Sequence, residues 1–308
     1  MRTIGEHHPC LIVATDTDPQ TAAQAGADAV IDADPAETLK AGLLLGVRVD
    51  ASEEPLAGAA DFLLLGDGEI TNRPFIELCA RLGLPTFMGT GGATLSEVTR
   101  AVGWFQLAFR HGEVASPARR RLAIDGGGNL VLLHGTLLDA PSDADHNLRA
   151  MQRMHGQSLQ PVGFEDRSGG AGVAPLAVAC GAIAVVRQYD AGFADMAAGV
   201  RRAETLLGEP RKVPGRGEEA AARAIRRHTV AAHDLTAGHV LTRQDVDFAT
   251  PAPGENEFAP KDVDGILGRE LQRELKQGEA VSRDAVGGDI EGPAPWFSPR
   301  PPKHKPDG

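Results

Sequence analysis

Cysteine is scarce in this chain: three residues in 308, Cys10, Cys79 and Cys180, each alone in an apolar stretch with no CxxC pair. That spacing excludes a disulfide framework or a zinc knuckle and reads as reduced, buried thiols. Long hydrophobic runs are also missing, since nothing approaches the roughly 18 consecutive apolar residues of a membrane-spanning helix. The opening residues, MRTIGEHHPC, lack the apolar stretch of an export signal, so the cytoplasm is the expected compartment and no membrane partner is expected. Positive charge is in short supply: 31 Lys and Arg face 42 Asp and Glu, a formal net charge of -11. Nucleic acid is therefore excluded as a partner, because its phosphates are bound by clustered cations. The main basic run, Arg119 to Arg121, lies in the Pro- and Gly-flanked SPARRRLAIDGGGN and reads as a solvated loop. Nucleophile-elbow, Ser-His-Asp and dinucleotide-glycine patterns are absent too, which sets aside hydrolase and dehydrogenase chemistry.

What is present is an alternation. Between Leu11 and about Glu209, short β-like runs alternate with Ala/Leu-rich segments of helical period, the mark of repeated βα units. The strands are read at LIVA, DAVI, GVRV, FLLL, TFMG, LVLLH, PVGF and IAVV, and DMAAGVRRAETLLGE supplies the closing helix. Eight such units predict an α/β fold, a compact (β/α)8 TIM-type barrel over residues 1–209. About 200 residues is the lower end for such barrels, and the first three units are short, so an incomplete first quarter stays open.

Residues 210–227, charged and containing Pro and Gly, read as a linker with some helix. Beyond it, DLTAGHVLTRQDV from Asp234 is echoed by ELKQGEAVSRDAV from Glu274. Two copies of an acid-Leu-x-x-Gly turn followed by a short β run predict a small pseudo-symmetric β-rich domain over 228–287. The Pro-rich, basic segment 288–308 lacks the composition for a packed element and is expected to be disordered.

Four segments carry a resemblance: GEITNRPFIELCARLGLPTFMGTGGATLSEVTRAV, LLHGTLLDAPSDADHNLRAM, PVGFEDRSG and RRHTVAAHDLTAGHVLTRQDV. In order and spacing they resemble the sialic acid (N-acylneuraminate) synthases. The resemblance implies a barrel that condenses phosphoenolpyruvate with an N-acylmannosamine-type sugar using a divalent metal, usually manganese. It also implies a C-terminal antifreeze-like (SAF) domain capping the partner's barrel in a homodimer. The family's first metal-binding histidine, in a Ser-Asp-His-Thr motif, falls on Arg167 of Glu165-Asp166-Arg167-Ser168. Its second, in Glu-Lys-His, falls on Gln188 of Val186-Arg187-Gln188. A guanidinium has no lone pair for a metal, so both ligands are gone. The family's Lys-Phe-Gln motif corresponds to Ile31, Asp32 and Ala33, and its second lysine to Leu64. A serine becomes Asp67, and Leu137 and Asp139 stand where a polar residue and a tyrosine are expected. Glu69, Thr90, His134, Thr136 and Asn147 match, with Glu69 and His134 as candidate catalytic groups. The family's sugar-binding arginine has no counterpart around ATPAPGENEF.

Read without the family, the strand ends are acidic: Asp16, Asp18, Asp32, Asp34, Asp50, Asp67, Glu69, Asp139, Glu165 and Asp166. Two readings stay open. Asp67, Asp139 and Glu165 are candidate oxygen ligands for Mg2+ or Mn2+, or the acidic residues cap helices and face water. The turns GTGGAT and SGGAG open predicted helices and offer backbone N–H groups to an anion, which makes Thr90, Gly91, Thr136, Asn147, Arg167 and Arg187 candidates for holding a sugar or phosphorylated small molecule.

These residues predict a divergent synthase-like protein of nonulosonic-acid or surface-glycan biosynthesis, silent in the family reaction. The alternatives are an active carbon-carbon bond-forming synthase with a rebuilt carboxylate metal site, and a barrel that only scaffolds a dimerising C-terminal domain.

Overall fold

A computed structural model describes residues 2–5, 9–50, 60–110, 121–125, 128–215, 217–250 and 257–287, with Arg223 described by its backbone alone. The predicted Pro-rich segment 288–308 and the residues Arg119 and Arg120 lie outside these. The chain forms two compact units, Met1–Glu209 and Pro210–Gly308.

In the first unit, eight parallel strands close into a barrel. They are β2 (Leu11–Thr15), β3 (Ala29–Ile31), β4 (Leu44–Val49), β5 (Phe62–Leu65), β6 (Thr86–Gly89), β8 (Leu130–His134), β9 (Val162–Asp166) and β10 (Ala182–Gln188). All eight predicted strands are found, and β10 pairs with β2, so the short first units do close the barrel. Small size is accommodated by six-residue helices, α1 (Pro19–Gln24) and α2 (Pro35–Lys40), each with Pro in its first turn and an aspartate cap, Asp18 or Asp34. Those caps satisfy helix-end N–H groups that so short a helix cannot satisfy itself. The later helices are α3 (Arg73–Arg81), α4 (Leu95–Arg110), α5 (Arg149–Ser158), α6 (Val173–Ala179) and α7 (Phe193–Leu207).

Two cores follow from the strand period of two. Outward residues such as Ile12, Val30, Leu63 and Leu132 pack on the helices, while inward residues such as Leu11, Val13, Ile31, Phe62, Phe87 and Val131 fill the barrel. Cys10 and Cys79 are buried, and burial pushes the Cys79 thiol up to about 12. Two strands escaped the sequence reading: β1 (Arg2–Ile4) and β7 (Leu122–Ile124) pair in parallel and add Ile4, Leu122 and Ile124 to the barrel-filling core. Three residues are too few to show a period, so only the tertiary structure reveals them. Arg121, expected in a solvated loop, instead pairs with Asp61 at 3.1 Å and donates to the Leu43 carbonyl.

The second unit holds α8 (Glu218–Ile225) and an antiparallel pair, β11 (His228–Ala231) and β12 (Val246–Ala249). The repeat is a true pseudo-twofold. Leu235 and Leu275 exchange reciprocal backbone hydrogen bonds of 2.8 and 2.9 Å. The N–H groups of Gly238 and Gly278, both at positive φ, donate to the equivalent carbonyls of Leu271 and Ala231. Leu235, Leu241 and Val246 meet Leu275, Val281 and Val286 in one core. Among the described residues no helix is long and apolar enough to cross a membrane.

Candidate functional site

The carboxyl ends of the barrel strands surround a cavity of about 410 Å3, lined by residues that include Thr15, Asp16, Arg48, Asp139, Glu165, Arg167 and Gln188. Asp16, at the end of β2, adopts a left-handed conformation with φ 59°, which Asp tolerates better than most residues, and accepts a hydrogen bond from Thr15 Oγ1 at 2.9 Å.

Arg167 organises one wall. Its Nη2 lies 2.8 Å from Glu165 Oε1 and 3.3 Å from Asp67 Oδ2, so a single guanidinium bridges two carboxylates offered as metal ligands. Burial works against its charge, but Glu165 first, then Asp67 and Asp139, more than offset this and raise its affinity for the proton. The metal reading of Asp67, Asp139 and Glu165 is thereby corrected: the cation they surround is part of the chain. Among the described residues no group of three His, Cys, Asp or Glu side chains is placed to hold a metal. With Arg167 and Gln188 at the expected histidine positions, this donor set does not fit Mg2+ or Mn2+.

Arg187, a candidate for binding an external anion, is only 2% exposed. Its Nη1 meets Asp166 Oδ2 at 3.2 Å and the Gly170 carbonyl at 2.5 Å, and its Nη2 meets Asp190 Oδ2 at 2.6 Å. Buried cations need such partners, and here they fasten the loop after β9 to β10. The GTGGAT turn is committed in the same way. Gly91 N–H donates to Asp67 Oδ1 at 2.6 Å, and a Cβ added at Gly91 would lie 2.9 Å from that oxygen. An internal carboxylate therefore takes the donor that the sequence offered to a ligand.

The retained family residues are dispersed. Thr90 is buried, its hydroxyl donating to the Leu133 carbonyl at 2.8 Å, which ties β6 to β8. Glu69 accepts from Asn72 Nδ2 at 2.6 Å beside the start of α3 and is not part of the cavity wall. His134 Nε2 lies 2.8 Å from the His146 carbonyl oxygen. Thr136 Oγ1 accepts from Leu138 N–H at 3.2 Å, and Asn147 is exposed at φ 39° as the residue ending the 3-10 turn 143–146. Of the candidates, Asp139, Glu165, Arg167, Arg187 and Gln188 do line one cavity.

Arg48 was missed. It follows Leu44 and Gly46 on the inward face of β4, a placement the period of two in LLGVRV already carries.

Fold and mouth define a (β/α)8 barrel with charged strand ends, joined in sequence to a twofold β module. The NeuB family profile matches residues 59–191 and the SAF domain profile residues 226–286. An N,N'-diacetyllegionaminic acid synthase of Legionella pneumophila is 29% identical over 235 residues, covering 71% of this chain and 62% of that protein. Another from Campylobacter jejuni is 23% identical over 230 residues, covering 70% and 64%. The chain thus matches less than two thirds of the length of these curated relatives. Among solved structures, a spore coat polysaccharide biosynthesis protein E of Chromobacterium violaceum superposes with TM-score 0.70 at 16% identity, covering 90% of this chain and 100% of that one. The sialic acid synthetase of Leptospira borgpetersenii superposes with TM-score 0.57 at 19% identity, covering 72% and 94%. The comparisons thus support a sialic acid synthase (NeuB) likeness for residues 59–191 and a SAF domain likeness for residues 226–286.

Proposed function

We propose that this protein serves nonulosonic-acid biosynthesis as a binding or regulatory member of its family, silent in the condensation of phosphoenolpyruvate with an N-acylmannosamine-type sugar. The relatives' names supply the pathway; the arrangement around Arg167 supports the silence. A guanidinium held by Glu165 and Asp67 takes up the carboxylates that would otherwise attract a divalent cation. It cannot act as a Lewis acid toward a carbonyl as a metal does. The family's two lysines are also replaced, by Ile31 and Leu64, both buried apolar residues. A substrate bearing phosphate and carboxylate would find carboxylates where it needs donors. The same reading keeps the protein in the cytoplasm and pairs it with a second copy, the SAF domain of one against the barrel of the other.

The test is direct. Purified protein given phosphoenolpyruvate, N-acetylmannosamine and manganese is expected to release no phosphate above the uncatalysed rate, and manganese is expected not to saturate a site in calorimetry. The double variant Arg167→His, Gln188→His is expected to gain one saturable manganese site. Turnover or saturable manganese binding by the unaltered chain would overturn the reading.

A further inference from the structure

We propose that the first repeat of the second unit is a pH-sensitive latch, in which His233 and His239 close on the shared carboxylate of Asp245 as they take up protons. It goes beyond the functional reading above, which concerns the barrel, and rests on other residues.

The cluster ties two turns together. Asp245 ends the 3-10 turn Arg243–Asp245 that leads into β12, and its side chain is 7% exposed. Its Oδ2 accepts from Thr242 N–H at 2.7 Å, from Thr242 Oγ1 at 2.6 Å and from His239 Nε2 at 2.9 Å. Its Oδ1 lies 3.4 Å from His233 Nε2. Two rings that flank one turn therefore meet a single carboxylate from the next. Both rings reach water, with side chains 54% and 36% exposed, so protons can exchange on them. A neutral His239 can donate to Asp245, and a charged one does so more strongly; His233, at 3.4 Å, is held only as a cation.

The twofold sets this tie beside a permanent one. By the spacing of the repeat, His233, His239 and Asp245 correspond to Arg273, Glu279 and Ala285. In the second repeat the turn is held by Arg273, whose Nη1 lies 2.6 Å from Glu279 Oε1 and whose Nε lies 3.3 Å from Asp284 Oδ2. A guanidinium keeps its charge at any pH at which the protein folds, whereas imidazole is the side chain whose charge changes between about pH 5 and 8. Equivalent places in one module thus carry a titratable contact and a fixed one.

An opposite charge favours the protonated imidazole, so the contribution of such a pair is whole below the ordinary histidine value of about 6.5 and is lost as pH rises through the folded one. Asp245 keeps its charge over that range: burial alone would raise its carboxyl, but Thr242 and His239 hold it down to about 2. The other charged groups around the cluster are Asp234, which pairs with Lys276 at 3.2 Å, Glu270, whose Oε1 is 3.5 Å from a Cβ built at Gly238, Arg269, whose carbonyl accepts from Leu241 N–H, and Arg243. As classes, carboxylates, lysine and arginine change charge outside pH 6 to 8, which leaves histidine. His228 is buried in β11, and burial moves its titration to the acid side.

Hydrogen exchange read by mass spectrometry on the full chain from pH 6 to pH 8, corrected for the chemical pH dependence of exchange, compares residues 233–245 with 273–285. Protection of 233–245 is expected to fall by about threefold or more across this range, and that of 273–285 by clearly less. His239→Gln keeps a donor toward Asp245 but no titratable charge, and is expected to flatten most of the fall; adding His233→Gln is expected to remove the rest. Because both side chains reach solvent, the thermal midpoint at pH 8 is expected to be unchanged, which shows that the variants fold. Flat protection of 233–245 in the unaltered chain, an equal fall in both repeats, or an undiminished fall in the double variant would each overturn the proposal.

Discussion

At the scale of single residues, two arginines that look alike in the sequence have opposite roles. Arg187 and Arg48 each end a run of alternating β residues, yet Arg187 is sealed against Asp166 while Arg48 is open to the cavity. The Arg187–Asp166 pair has side chains 2% and 0% exposed. Truncating one partner of such a pair leaves a charge in a poorly solvated place, at a cost of about 3–5 kcal/mol. Arg187→Met is therefore expected to lower the unfolding free energy of the barrel by about that much. In the double variant with Asp166→Asn, much of the loss is expected to return, and a double-mutant cycle in urea measures the coupling.

At the scale of elements, the barrel's strand order and the twofold of the second unit were both legible, because each rests on a period. The strands show inward and outward alternation, and the repeat shows Leu, Gly, Arg and Val recurring at one spacing. Pairs of three-residue strands carry no period, and β1 with β7 was invisible for that reason. Gly46 shows how tightly an element is specified once packed. Gly46→Ala puts a methyl within 2.4 Å of Ile31 and the Phe62 ring. Overpacking of a filled interior costs about 1–3 kcal/mol, and a fall of the barrel's thermal midpoint is the expected readout. A matched check on the twofold uses Gly238→Ala and Gly278→Ala, at φ 83° and 79°. Both force a Cβ into left-handed backbone and are expected to destabilise the second unit by similar amounts, about 1 kcal/mol each, in chemical denaturation.

At the scale of the whole molecule, each unit has its own core. The second unit also carries an acid-sensitive tie. Burial alone would raise the Asp245 carboxyl, but the Thr242 hydroxyl and N–H and the His239 ring outweigh it and hold the group down to about 2. A carboxyl lowered in the folded state adds stability that is whole above its unfolded value of 3.8 and is lost as pH falls toward 2. Scanning calorimetry from pH 5 to pH 2.5 is therefore expected to show the second unit weakening, with a shallower acid dependence in Asp245→Asn. The sequence by itself determined the eight barrel strands and the repeat, because these are matters of residue type and spacing. Which charges meet was decided only by the closed barrel. Arg167 finds Asp67 across one hundred positions of chain, and Gly91 gives its N–H to that same carboxylate rather than to a ligand. Ion pairs depend on distance in space, and distance in space is set when the eighth strand reaches the first.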